Sequence, residues 1–318
     1  MINPLVSIIV PSYNHGKYLA CRLDSILNQL YQNFEVIILD DASTDDSIKV
    51  INDYFSKDRR IRSYCNELNT GSPFKQWARG IELARGDYVW IAESDDYADT
   101  RFISTLLPKL IQNPKLSIAF CQSYRIDLNN NIIFSLIKWS SERYSKEFYS
   151  NGEEEVKKYG IFSHGIYNAS AAIFRKSFAI NISSYYQKFR YAGDALFWNL
   201  MLLQGDIYFN PEPLNYFRES DATIKNKKKI CGILKEEYRI LRYLKQNIKL
   251  SDSNILFNKK RDYLVRAWSS ESLSLSPLEN FKILIEAYSV DPFVILRLLY
   301  FIQRHFKENI SKILNFGK

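Results

Sequence analysis

Three carboxylates within four positions, Glu93, Asp95 and Asp96, close a stretch that begins Tyr88-Val89-Trp90-Ile91-Ala92. β-Branched and aromatic residues in such a run make a buried strand. Acids crowded at the end of a buried strand repel one another and lose hydration, so something must offset their charge. A divalent cation does this, and hard oxygen ligands select Mg²⁺ or Mn²⁺ over softer metals. An open α/β sheet gathers its ligands at the carboxyl ends of its strands, where this cluster falls. A solvated acidic turn has the same local composition, so the decision passes to the wider chain.

A second set of acids follows another apolar run. Phe34-Glu35-Val36-Ile37-Ile38-Leu39 leads into Asp40-Asp41-Ala42-Ser43-Thr44-Asp45-Asp46. Asp40 reads equally as a turn acid or a ligand contact, and Ser43 or Thr44 can cap the next helix. A third candidate is Asp194, set between Tyr191 and Phe197-Trp198. Partial desolvation there would raise its pKa and make it a better proton acceptor. The same residue also reads as a helix N-cap.

These acids need elements to position them, and the first hundred residues supply an alternation. Leu5–Val10 is a strand that Pro11 stops, and Ser12-Tyr13-Asn14-His15-Gly16 is a loop. Leu19, Leu23, Ile26, Leu27 and Leu30 then mark one apolar helix face. The strand at 34–39 precedes a helix with Ile48, Ile51 and Tyr54 or Phe55 inward. Ile61–Cys65 is a short strand. Phe74, Trp77, Ile81 and Ala84 mark a further helix before the strand that opens at Tyr88. Alternation of this kind predicts an α/β fold, a mostly parallel sheet covered by helices. Beyond it come a helix over Phe102–Ile111, a strand over Leu116–Ser123, a hairpin around Asn129-Asn130-Asn131 and a strand ending at Arg218. The glycine signatures of dinucleotide and phosphate loops are absent, so a bound nucleotide would depend on carboxylates and a metal.

The combination of Val6–Asn14 (VSIIVPSYN), Ser25–Gln29 (SILNQ), Phe34–Asp45 (FEVIILDDASTD) and Gly80–Asp96 (GIELARGDYVWIAESDD) resembles the inverting glycosyltransferases of family 2, which have the GT-A (Rossmann-like) fold. The resemblance covers roughly residues 4–225. It implies a nucleotide-sugar donor, a divalent metal (Mg²⁺ or Mn²⁺) and transfer to a hydroxyl with inversion. By this resemblance Pro11, Tyr13 and Asn14 line the nucleotide site, and Asp41 contacts the base, usually uracil. Asp95 and Asp96 match residues that contact the ribose and hold the metal on the diphosphate, with Glu93 standing where Asp is commoner. Arg218 is expected to neutralise diphosphate charge. Ser220 stands where relatives often have His, and Ser220–Lys229 resembles a loop that closes over donors. Asp194 matches the catalytic base, and the region from His164 to Ser170 faces the acceptor.

The chain of 318 residues is long enough for one large domain with an appendage. Residues 1–225 are expected to form the GT-A domain, with a nucleotide-binding half over 1–125 and an acceptor half over 126–225. Residues 226–318 form a basic helical C-terminal region. Four widely spaced cysteines form no CxxC pair, and Met1–Pro4 leads into a strand with no apolar signal segment. Both suggest a cytoplasmic protein. Residues 1–224 hold 24 Lys+Arg and 26 Asp+Glu; residues 225–318 hold 19 and 9, so the whole basic excess lies in the last third. With the apolar stretch Phe293–Ile302, that excess suggests an anionic membrane surface as partner, peripheral rather than spanning; a buried helix closing the domain is the other reading. No nucleic-acid motif is present, and no nucleic acid is expected.

The expected function is metal-dependent transfer from a UDP-sugar to a saccharide or lipid-linked saccharide acceptor in surface polysaccharide synthesis. Two other readings are a catalytically inactive module that docks through its basic third, and a sugar-1-phosphate nucleotidyltransferase. Intact Asp41, Asp95, Asp96 and Asp194 argue against the first. Ser12–His15 is a poor substitute for the glycine-rich basic loop that the second requires.

Overall fold

A computed structural model describes residues 3–135, 142–160, 166, 168–218, 227–248 and 255–315. His164, Ser220 and most of the loop Ser220–Lys229 lie outside the described residues, and the chain is already helical at Lys227. The chain divides into two compact units, Met1–Val156 with Ser163–Lys225, and Lys157–Phe162 with Asn226–Lys318.

The first unit opens with β1 (Val6–Ser12), α1 (Gly16–Leu27), β2 (Phe34–Asp40), α2 (Ser47–Lys57), β3 (Ile61–Cys65), α3 (Pro73–Leu83) and β4 (Tyr88–Ile91). It continues with β5 (Tyr97–Ala98), α4 (Phe102–Gln112), β6 (Leu116–Ile126), β7 (Ile132–Ser135), β8 (Phe148–Ser150), α5 (Gly152–Glu155) and β9 (Ala172–Arg175). α6 (Lys176–Ala179), α7 (Ser183–Tyr186), α8 (Gly193–Leu202) and β10 (Asp206–Arg218) complete it.

The strands lie in the order β3-β2-β1-β4-β9-β6-β10-β5, with β7 on β6 and β8 on β10. β3, β2, β1 and β4 are mutually parallel, as the alternation predicts. β9 then enters antiparallel to both β4 and β6, so the sheet as a whole is mixed. Parallel entry beside β4 or β6 would need a crossover connection. The strand order reverses at β1, which places a crevice beyond the carboxyl ends of β1 and β4.

β1 and β2 are buried along their whole length, and α1 packs Leu19, Leu23 and Ile26 into the same core as Trp90, Phe102 and Leu106. Each such side chain stabilises the fold by roughly 1.5–3 kcal/mol. Leu30, expected on the same helix face, is 65% exposed, because α1 ends at Leu27. Gln29 fixes that end: its amide donates to the carbonyls of Ser25 and Asp99, and its Oε1 accepts from Ile103 N–H. Of the pair Tyr54 and Phe55, Tyr54 is the inward residue, donating to Asp24 (2.7 Å). The strand expected to stop at Ser123 runs on to Ile126 and forms the hairpin with β7.

The second unit contains α9 (Lys227–Asn247), α10 (Ile255–Glu271), α11 (Pro277–Tyr288) and α12 (Val294–Asn315). Its core holds Tyr238, Leu241, Leu244, Phe257, Leu264 and Trp268. Ser276 and Glu279 form a capping box at the start of α11, and Trp268 Nε1 donates to Asn280 (2.8 Å). α11 buries Ile283, Glu286 and Ala287, whereas Phe281, Ile285 and Tyr288 are exposed.

Candidate active site at the carboxyl ends of β1, β2 and β4

Backbone pairing carries the ends of β1 and β2 to one level, and β4 ends beside Ile9 of β1. Asp41 N–H donates to Ser12 O (2.9 Å), and Ala92 N–H to Ile9 O (2.8 Å). The loops beyond these strands border a cavity of about 310 Å³, lined among others by Pro11, Ser12, Tyr13, His15, Asp41, Gln76, Glu93, Ser94 and Arg190. Four of the residues selected from sequence, Pro11, Tyr13, Asp41 and Glu93, therefore meet in one space.

Asp41 is almost wholly buried, and its carboxylate is occupied by its own chain. Oδ1 accepts from Asn66 Nδ2 (2.7 Å), Gln76 Nε2 (2.8 Å) and Thr70 N (3.0 Å), and Oδ2 from Thr70 Oγ1 (2.9 Å). The acid thus shapes the 66–76 segment as one wall of the cavity. The unpaired acceptor beside it is Gln76 Oε1; with Ser12 Oγ it is buried and has no hydrogen-bond partner among the described residues. Buried polar atoms are rarely left so, and both belong to residues that line the cavity.

Asn14 does not line the cavity. It adopts a left-handed φ of 55°, takes Thr44 N–H on its Oδ1 (2.8 Å), and donates its own N–H to Ser43 Oγ (2.9 Å). It ties the loop after β1 to the loop after β2. Asp40 holds Ser43 through both its N–H (2.8 Å) and its hydroxyl (2.6 Å), a turn role. Asp45, rather than Ser43 or Thr44, serves the helix starts: it accepts from Gly16 N at α1 and from Ser47 N at α2.

The three-carboxylate cluster is divided. Glu93 Oε1 accepts from Trp77 Nε1 (2.9 Å). Asp96 accepts from Arg218 N (2.9 Å) and Asn168 Nδ2 (2.7 Å). Among the described residues no three His, Cys, Asp or Glu side chains form a ready metal cage. Part of the offsetting charge comes instead from Arg22, fully buried over the Trp90 ring at 5.3 Å. Its Nε donates to Glu93 O (2.8 Å) and its Nη2 to Ser170 Oγ (2.7 Å), while Nη1 is without a partner. One guanidinium does not balance three acids. Burial first, then Asp95 and Asp96, pushes the Glu93 carboxyl up to about 8, against the Trp77 N–H and Arg22. Burial and Asp95 also raise Asp96. An uncompensated acidic pair of hard oxygens fits a divalent ion that takes one or two protein carboxylates and completes its shell from a diphosphate and water. Asp95 and Asp96 are the residues that would hold it.

Arg218 is buried and does not border the cavity. Its Nε donates to Asp95 O (2.7 Å), Nη1 to Asp127 O (2.6 Å) and Nη2 to Asn130, and it stacks on Tyr18 at 4.5 Å. These bonds join the acidic loop to β10 and to the β6–β7 turn. Asp194 occupies the first turn of α8, partly buried, one residue past the N-cap's neighbour Gly193, where an acidic side chain complements the helix dipole. Gly193 packs so closely on Phe74 that a Cβ would lie 2.4 Å from that ring. Arg190, not Asp194, borders the cavity.

The sequence matches the family model described as Glycosyl transferase family 2 over residues 7–180, more than half of the chain. The chain belongs to glycosyl transferase family 2. A Haemophilus influenzae protein named as an uncharacterized glycosyltransferase is 40% identical over 134 residues, 41% of this chain and 51% of that protein. The chain thus spans about half the length of that relative. A Campylobacter jejuni protein named GalNAc(5)-diNAcBac-PP-undecaprenol beta-1,3-glucosyltransferase is 25% identical, covering 98% of this chain and 97% of its own. Among solved structures, S. aureus TarS 1-349 in complex with UDP-GlcNAc superposes with a TM-score of 0.67 at 17% identity, over 96% of this chain and 92% of TarS. The Pyrobaculum calidifontis mannosyltransferase PcManGT in complex with GDP-Man and Mn2+ does so at 0.56 and 13% identity, over 94% and 88%. These likenesses give the fold, GT-A: a central sheet flanked by helices.

In this family 2 chain the cavity depends on residues that sequence reading did not select. Arg22 reads as one charge on the polar side of an amphipathic helix, and Gln76 as a polar residue beside Trp77. His15 Nδ1 meets Ser94 Oγ at 2.7 Å, which ties the β1 loop to the acidic loop. Asn168 Nδ2 on Asp96 is a contact 72 residues apart. None of these leaves a local signal, because each depends on a partner from another strand end.

Proposed function

We propose that the chain transfers a sugar, with inversion, from a UDP-sugar to a hydroxyl of a saccharide or lipid-linked saccharide acceptor in surface polysaccharide (O-antigen or capsule) synthesis. The observation that carries this reading is the cavity at the reversal of strand order, lined by Pro11, Ser12, Tyr13, Asp41, Gln76 and Glu93. The names of the likenesses support it: TarS with UDP-GlcNAc and with UDP, and a glucosyltransferase whose name carries a PP-undecaprenol acceptor.

In this reading Pro11 and Tyr13 border the base, and Asp41 holds Gln76 so that its Oε1 accepts the imide N–H of uracil. Asn14 braces the two loops. Asp95 contacts the ribose, and Asp95 and Asp96 hold Mg²⁺ or Mn²⁺ against the diphosphate. When bound, that ion offsets the charge that develops on the leaving diphosphate. Glu93 keeps Trp77 and the cavity floor in place. Asp194 takes the proton of the acceptor hydroxyl as it attacks the anomeric carbon from the face opposite the diphosphate, a separate task that needs a carboxylate away from the metal. Reaction with a lipid-linked acceptor places the enzyme at the inner face of the plasma membrane, peripheral to it.

A thermal-shift series with UDP, GDP and UDP-sugars, with and without Mn²⁺, tests the donor site, since a ligand of the native state alone raises its stability. UDP with Mn²⁺ is expected to raise Tm more than GDP at equal concentration. A larger shift with GDP, or a UDP shift indifferent to the metal, overturns the reading.

A further inference from the structure

The helical unit carries a run of exposed apolar residues on two consecutive helices. Within residues 278–300, nine large apolar side chains are exposed. On α11 they are Leu278, Phe281, Ile285 and Tyr288, spaced i, i+3, i+7 and i+10, a single stripe. On α12 Ile295, Leu296, Leu299 and Tyr300 are each about half exposed or more, while Val294 is buried on the opposite side. Phe293, 64% exposed, stands between the two helices. Exposed apolar residues scattered singly need no explanation, but a contiguous set of this size marks a contact surface.

Charge says what that contact is. Residues 225–318 hold 19 Lys+Arg against 9 Asp+Glu. Two copies of such a unit repel one another, whereas an anionic surface attracts it. Arg304 lies one turn beyond Tyr300 on the same row and is exposed. There the apolar stripe leads into a groove of about 430 Å³ between α10 and α12, lined by Tyr263, Arg266, Ser269, Ser270, Phe301 and Arg304. Arg266 stacks on Phe301 at 4.9 Å, which presents its guanidinium edge at the groove. Two guanidinium groups beside an apolar stripe suit a phosphate ester joined to acyl chains. No helix among the described residues is long and apolar enough to cross a membrane, so contact is from one side.

We infer that the α11–α12 face docks on an anionic lipid surface, with its apolar side chains among the acyl chains and the Arg266–Arg304 groove on a lipid phosphate. This deepens the peripheral membrane placement proposed above and rests on it.

The test is cosedimentation of the full chain with phosphatidylcholine vesicles, with and without phosphatidylglycerol. Binding is expected only with the anionic lipid. Leu296→Gln with Leu299→Gln should weaken it roughly tenfold or more by removing the inserted face. Arg266→Ala with Arg304→Ala should weaken it by about fivefold per charge. Tyr300→Trp, a mild change, should add emission that brominated lipid quenches; absence of that quenching overturns the proposal. So does equal binding to neutral vesicles, or a dimer that the Leu296→Gln, Leu299→Gln pair dissolves in a protein that ignores vesicles. The UDP thermal shift, measured on the same samples, separates the two readings. A protein that binds vesicles without responding to UDP keeps the docking face and loses the donor site; one that responds to UDP but ignores vesicles does the reverse.

Discussion

In the sheet unit the guanidinium of Arg22 is sealed under three acids, with no exposed surface. In the helical unit the guanidinium of Arg239 meets Glu286 at 2.6 Å with 40% of its side chain exposed, and Arg242 meets the same carboxylate at 3.3 Å. The sheet unit seals this guanidinium inside, among β1, β4 and α1. The helical unit leaves this arginine pair partly in water and the apolar stripes on α11 and α12 uncovered. Buried charge is held only by a close, fully built environment, and such an environment positions ligands. Exposed apolar surface instead calls for something outside the chain.

If that contrast is right, substitutions of similar chemistry weigh far more at the sheet end than in the helices. The largest effect is expected from Asp96→Asn, which should abolish the metal-dependent part of UDP binding by titration calorimetry. The amide oxygen can still accept from Arg218 N–H, so circular dichroism should stay native. Unchanged UDP affinity that still requires Mn²⁺ would move the metal elsewhere. Next comes Asp194→Asn, which keeps size but cannot take the proton. Turnover should fall by about 10² to 10⁴ while the UDP Kd holds, and near wild-type transfer would leave Asp194 as a helix-start acid.

Arg22→Met sharpens the comparison directly. Removing one partner from a buried charge group costs about 3–5 kcal/mol, read as a lower urea midpoint. Its counterpart, Arg239→Ala, leaves Glu286 with Arg242 and should cost about 1 kcal/mol or less. Equal losses for the two arginines would break the contrast. Between them lies Gln76→Leu, which removes the unpaired acceptor beside Asp41 together with one donor to that buried carboxylate; it should weaken UDP up to about tenfold and lower the stability of the free protein by about 1–3 kcal/mol. An unaltered UDP Kd would show that the base is read by another group.

What the sequence by itself determined was the local part of this. Continuous apolar runs made β1, β2 and β4, the 3.6-residue stripes of Leu19, Leu23 and Ile26 or of Phe74, Trp77 and Ile81 made helices, and acids after β2 and β4 marked the end where ligands gather. Family membership was legible for the same reason, since its motifs are short runs at strand ends. What tertiary structure decided is the pairing of polar groups. Arg22 reaches Glu93 across 71 residues and Ser170 across 148, and Arg218 reaches Asp95 across 123. Those contacts divide the three acids between separate partners, give the cluster a buried cation and tie Arg218 to the acidic loop. Asp41 holds Gln76 and the 66–76 segment. On α11 the covered face depended on neighbours: Ile283, Glu286 and Ala287 went inward. Periodicity is a property of one segment and survives in the sequence. The partner of a buried charge, or the cover over an apolar stripe, is a property of two surfaces, and only folding brings the second one near.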